Sequence, residues 1–293
     1  MRGAGGLMVA TLRRRVIPYF LLGPGTIWLV LFFVVPMYYM FKLSLETGVV
    51  GSLEFNWHWA NYSDALDLYH SQLIRSFIYA GAATLASLLL AYPLAYAIAF
   101  KAGRFRNAML FAVVAPFFTT YLIRTLAWQT ILADQSPVTE FMHAIGLAPS
   151  GHVLATSFAV IAGLTYNFLP FMILPIYASL ERIDVRLIEA GKDLYASAAQ
   201  AFLRVTLPLS MTGVVAGVLL TFIPAAGDYV NAQFLGGVGN RMIGNVIQSL
   251  YLSQSNYPSA AALSFVLMAL IMVAVVIYIR FAGSEALMGE EAR

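Results

Sequence analysis

Glu189-Ala190-Gly191-Lys192-Asp193-Leu194-Tyr195-Ala196-Ser197, followed by Val205-Thr206-Leu207-Pro208, is the stretch that decides how this chain is read. It belongs to a polar segment, residues 181–206, set between two long apolar runs. Val185, Ile188, Leu194, Ala198 and Phe202 recur in it at roughly helical spacing. Asp184 suits a helix N-cap and Ser197 suits a second. Pro208 suits the first turn of the helix that follows. The pattern predicts two short helices joined by a bend, lying flat at a membrane surface. A charged, patterned helical loop has little use there unless something docks on it.

Composition agrees with a membrane setting. The 293 residues are 60% hydrophobic and 11% charged, with mean hydropathy +0.78. Soluble domains carry roughly 25% charged residues. A formal charge of +3 is too small to argue for nucleic acid. No cysteine is present, which excludes cysteine nucleophiles and cysteine-held metals. The 4 histidines (His58, His70, His143 and His152) are dispersed and form no HExxH pattern, so no metal site is expected.

A bilayer-spanning helix needs about 20 mostly apolar residues. Six runs qualify: Ile17 to roughly Phe41, Leu73 to Phe100, Ala108 to about Trp128, Val153 to Ala178, Leu207 to Ala226 and Ala260 to Phe281. The first follows Arg13, Arg14 and Arg15 but is too long for a signal-peptide core of roughly 7–15 residues, and is expected to be retained. With both termini in the cytoplasm, most of the 17 Lys and Arg fall on the inner side, including Arg104, Arg106, Arg182, Arg186, Lys192 and Arg204. The outer loop over residues 44–71 holds Trp57, Trp59, Tyr62 and Tyr69, an interfacial aromatic cluster. Residues 129–152 and 227–258 read as further outer loops broken by glycines. The expected division is 1–72 (tail, first helix and outer loop), 73–282 (helices two to six with the loop 181–206) and 283–293 (tail).

The loop resembles the "EAA" loop of ABC importer permeases, in which a short helix sits in a cleft of the ATPase subunit. That family's pattern is Glu-Ala-Ala, three residues, Gly, nine residues, an aliphatic residue, one residue, Leu-Pro. Glu189, Ala190, Val205, Leu207 and Pro208 fall at those places, and Asp193 lies within the helix. Gly191 replaces the second alanine, and Tyr195 occupies the glycine position. The departure at Tyr195 implies an altered bend or a reshaped ATPase cleft.

Phe118-Thr119-Thr120-Tyr121-Leu122-Ile123-Arg124-Thr125-Leu126-Ala127-Trp128 is similar to spermidine/putrescine permeases. So are Ile223-Pro224-Ala225-Ala226-Gly227-Asp228-Tyr229-Val230 and Tyr257-Pro258-Ser259-Ala260-Ala261-Ala262. The resemblance implies an all-α membrane protein with six transmembrane helices in the type I importer fold, located in the cell (plasma or inner) membrane. It implies a second homologous permease, an ATPase dimer that holds the ATP, and an extracytoplasmic solute-binding protein. No cofactor is then expected in this chain. The substrate class it implies is polyamine, with an opine or amino-acid-like compound as the alternative.

A polyamine needs carboxylates or aromatic faces along its path, because an unpaired charge in a low-dielectric pore is very costly. Asp228, Tyr166, Tyr229 and Asn167 are the candidates. Asp228 reads equally well as a hydrogen-bonding residue at a helix end, and Tyr166 as an ordinary buried tyrosine. Arg124 would repel a cation, which favours a structural role. Gly213 and Gly217 form a GxxxG that permits close helix packing. An ion-coupled secondary transporter would show internal repeats and charges at mid-membrane, which are absent here. No GxxxxGK[ST] occurs, so the chain is not expected to be an enzyme that hydrolyses ATP by that route.

Overall fold

The computed structural model describes residues 22–48, 51–146, 151–194 and 197–283. Five helices among them are long and apolar enough to cross a membrane: α1 (Leu22–Ser44), α2 (Ala60–Phe100), α6 (Ser157–Glu181), α8 (Ala198–Ala226) and α11 (Tyr257–Phe281). A bent pair, α3 (Gly103–Phe118) and α4 (Tyr121–Ile131), meets the same test of length and apolarity only when the two are taken together. Shorter helices fill the connections: α5 (Pro137–Ala144), α7 (Val185–Leu194), α9 (Val230–Leu235) and α10 (Ile243–Gln248). Glu46–Thr47 and Glu54–Phe55 pair as a two-stranded antiparallel ribbon beside α1. The all-α architecture is as expected.

The core is the three-helix packing of α2, α6 and α8. On α2, Ala80, Ala83, Thr84, Ser87, Ala91, Ala95 and Ile98 recur three or four residues apart, and all are buried. Small side chains on one stripe let helix backbones approach closely where lipid offers no hydrophobic drive. The same device serves on α8. A Cβ on Gly213 would lie 2.5 Å from the Pro175 carbonyl oxygen, and one on Gly217 would lie 2.8 Å from Met172 Sδ. The GxxxG therefore seats α8 on α6 within one chain.

Three expectations are corrected. First, α2 begins at Ala60 instead of near Leu73, so Tyr62 and Tyr69 lie on a helix and not in a loop. Residues 60–72 are too polar for a hydropathy reading, but they contain no Pro or Gly to stop a helix. Asn61 ties this extension to the end of α1 by donating to the Ser44 and Glu46 carbonyls at 2.9 Å.

Second, the third run is not one straight span. It turns by 95° between α3 and α4. Thr119 and Thr120 adopt extended backbone there, after a 3-10 turn that contains Pro116.

Third, the helix begun at Ala198 is not a separate surface helix. It runs through a π turn at Phe202–Thr206 into the long apolar helix, giving one span of 29 residues. The wider turn leads directly into Pro208, which has no N–H to offer the turn before it.

At the end of the bundle that carries α7, Arg106 pins α3 to α6. Its Nε donates to Tyr177 Oη at 2.6 Å, and its Nη2 forms an ion pair with Glu181.

Candidate functional site

Two constellations carry the sites expected from sequence. The first is α7. Asp184 caps it, its Oδ1 accepting from the Arg186 N–H at 2.9 Å. Ile188 is its anchor: only 6% exposed, it joins the core cluster of Ala95, Ile98, Leu180 and Val214. Gly191, one turn further, is buried against α8, where a Cβ would lie 2.9 Å from Val205 Cγ2 and 3.9 Å from Ala201 Cβ. The glycine in place of the family's second alanine is thus explained by close approach of α8. Ser197 caps the start of α8, accepting from the Gln200 N–H at 3.2 Å.

The opposite face of α7 is open. Val185, Leu187, Glu189, Ala190 and Asp193 are exposed, and Leu194 is 80% exposed. Val185 and Leu194 therefore do not share the buried side of Ile188, as the spacing had suggested. Leu207 is half-buried and Pro208 exposed at the start of the long apolar stretch of α8. Tyr195 lies outside the described residues.

The second constellation sits at the α3–α4 break. Asp228 is 8% exposed and uses both carboxylate oxygens within the chain. Oδ1 accepts from the Asn231 N–H at 2.8 Å, and Oδ2 accepts from the Tyr121 hydroxyl. The Asn231 side chain donates to Tyr121 Oη and accepts from Asn167 Nδ2 at 3.1 Å. Thr125 Oγ1 also lies within 3.4 Å of Asn167 Nδ2. This buried network joins α4, α6 and α9. Sequence reasoning placed Asp228 and Asn167 on the substrate path but missed Tyr121 and Thr125 as their partners. The available signal was their i, i+4 spacing on one face of α4.

Tyr229 and Tyr166 are not part of this network. Tyr229 lines a pocket of about 380 Å³ with Tyr251, Tyr257 and Gln248. The Tyr166 ring packs on Trp128 at 5.4 Å, beside a separate cleft that includes Arg124.

The described fold is similar to a chain of a bacterial ABC transporter that imports the acidic polysaccharide alginate. That match has TM-score 0.66, 18% identity, and covers 94% of this chain and 98% of that one. It is also similar to a chain of the MetNI methionine ABC transporter, with TM-score 0.53, 16% identity, and 77% and 97% coverage. In sequence, the chain is 37% identical over 256 residues to the spermidine/putrescine transport system permease protein PotB of Escherichia coli, covering 86% of this chain and 93% of the relative. It is 36% identical to the PotB of Haemophilus influenzae, covering 86% and 90%. It is 35% identical over 225 residues to the inner membrane ABC transporter permease protein YdcU of Escherichia coli, covering 71% and 69%. Residues 5–284 match the family described as binding-protein-dependent transport system inner membrane component. With that family match and relatives along most of its length, the chain belongs to the family of binding-protein-dependent transport system inner membrane components.

Proposed function

We propose that the chain is one membrane half of an ATP-driven importer of polyamines, spermidine and putrescine. It works beside a second homologous permease, with an ATPase dimer on the cytoplasmic side and an extracytoplasmic solute-binding protein outside. Both termini and α7 face the cytoplasm in this reading, which follows from the placement of Lys and Arg. The observation that carries the machinery is α7, a short helix fastened by Ile188 and Gly191 with its other face free. The polyamine assignment rests on similarity to spermidine/putrescine permeases over 86% of the chain.

The coupling follows from how α7 is attached. ATP closes the ATPase dimer, and the exposed face around Glu189 and Asp193 moves with it. Ile188 sits among residues of α2, α6 and α8, so displacement of α7 drags all three as a rigid body. The pore alternately opens outward to the loaded binding protein and inward to the cytoplasm. Tyr229, with Tyr251 and Tyr257, lines a pocket free of basic side chains. Aromatic faces attract ammonium groups by about 0.5–2 kcal/mol each. Asp228 serves the path indirectly, because its oxygens are committed to Tyr121 and Asn231. Asn167 supports it within the same buried network, while Tyr166 packs on Trp128 at the separate cleft.

The test is uptake by cells that lack other polyamine importers and express this chain with its second permease, ATPase and binding protein. Labelled spermidine should accumulate, unlabelled putrescine should compete, and deletion of residues 186–200 should abolish accumulation while leaving the chain in the membrane. Accumulation of an opine or amino-acid-like solute with no effect of polyamines would overturn the substrate assignment. Normal uptake by the deletion would overturn the coupling.

A further inference from the structure

Arg124 has an unmet requirement. It lies on α4, is 8% exposed, and its Nε and Nη1 have no hydrogen-bond partner. Its guanidinium stacks over the Phe117 and Tyr121 rings, with Cζ at 4.9 and 5.7 Å from their centroids. The rings attract the cation but offer no lone-pair acceptor to its N–H donors. Arginine remains charged at all ordinary pH, so the requirement is permanent.

Nothing described in the chain meets it. Asp228 accepts from Tyr121 and Asn231 and forms no ion pair with Arg124. Asp134 is paired with His152 at 2.8 Å. Among the described residues no carboxylate forms an ion pair with Arg124. The guanidinium instead borders a cleft of about 310 Å³ lined by Thr119, Ile123, Ala127, Trp128, Ile131 and Tyr166. The cleft is large enough for an inserted side chain, and Arg124 is the only charged residue in its lining. Of the lining, Ile123 and Ile131 are exposed, so the mouth of the cleft is apolar.

An apolar mouth around one desolvated charge is the form of a protein interface that selects its partner by charge complementarity. We propose that a carboxylate side chain of the second permease enters this cleft and pairs with Arg124 across the seam between the two permeases. The inference rests on the reading above that the chain works beside a second permease. A transported solute suits the position less well. It visits only intermittently, whereas the buried guanidinium needs a partner at all times, and a polyamine is itself a cation. The pair would lie where α4 turns away from α3, so it would fasten the partner to the bent segment.

The test uses the full complex purified in its native lipids. Arg124→Glu should lower the amount of second permease recovered with this chain at least tenfold. One membrane-embedded Asp or Glu of the second permease, changed to Arg, should do the same alone and restore recovery when combined with Arg124→Glu. A photo-crosslinking residue placed at Ile123 in the otherwise unaltered chain should yield an adduct with the second permease, which tests the seam without disturbing Arg124. Wild-type recovery with Arg124→Glu, or a loss that no partner reversal restores, overturns the proposal. So does an adduct at Ile123 with lipid only, which would make a lipid headgroup the occupant. If the wild-type chain recovers no second permease, the functional reading fails and the proposal fails with it. If it recovers second permease that is indifferent to position 124, only the proposal fails.

Discussion

Gly191→Val is expected to disconnect the ATPase from the membrane helices without unfolding them. Even a single added carbon would meet Val205 Cγ2 at 2.9 Å, and valine would add two more. Val205 is stiff at χ1 and cannot swing aside cheaply. Overpacking of this kind costs about 1–3 kcal/mol. The cheapest relief is for α7 to lift from α8, because the core around Ile188 is larger than the single Gly191–Val205 contact. A shift of that size lowers occupancy of the docked arrangement roughly tenfold. The readout is ATPase subunit recovered with the membrane subunits, together with transport-linked ATP hydrolysis. Adding Val205→Ala should return most of both, since it removes the atoms in conflict. Failure of Val205→Ala to rescue would mean that α7 is not held where it lies by this contact.

Asp228→Ala is expected to be the most destabilising single change near the other end of the bundle. It removes an acceptor from the Tyr121 hydroxyl and from the Asn231 N–H together, both in buried surroundings. Leaving a buried donor without its acceptor costs about 1–3 kcal/mol, and two are left here. Asp228→Asn keeps an acceptor oxygen and the shape, and should cost less. Thermal unfolding of the purified complex would separate them, with the alanine variant melting well below the asparagine variant. If Asp228 instead met substrate directly, both changes would leave the melting temperature alone and would weaken polyamine uptake to a similar degree.

These two residues also mark how far the sequence could be read. The short helix α7 was legible because its charges interrupt an apolar chain, and because Asp184 and Ser197 carry capping chemistry at the ends of the segment. The reason for Gly191 was not legible, since Val205 approaches it only once the chain has folded back through the turn at Ser197. The merger of the second short helix with the long apolar one was hidden by Pro208. Proline reads as a helix start, while the π turn before it lets the helix continue. At the other site, Asp228 stood out as a lone carboxylate at the end of an apolar run. Its partner Tyr121 lies 107 residues away and is only one aromatic among many in such a chain. Hydropathy recognised the stretch from Ala108 to Trp128 as membrane-embedded, but a mean over a window carries no direction and so could not show the 95° turn within it. The small-residue stripe on α2 was visible in principle, since its spacing is helical. Alanines score as ordinary apolar residues and do not announce that two neighbouring helices lie against them.

The absence of cysteine from the sequence permits a direct test of where α7 faces and what it meets. Leu194→Cys would place the only thiol on the exposed side of this helix. A membrane-impermeant thiol reagent should fail to label it in intact cells, should label it in inside-out vesicles stripped of the ATPase, and should label it much more slowly once the ATPase is added back. Ready labelling from outside intact cells, or labelling inside that the ATPase leaves unchanged, would contradict a helix that grips a cytoplasmic motor.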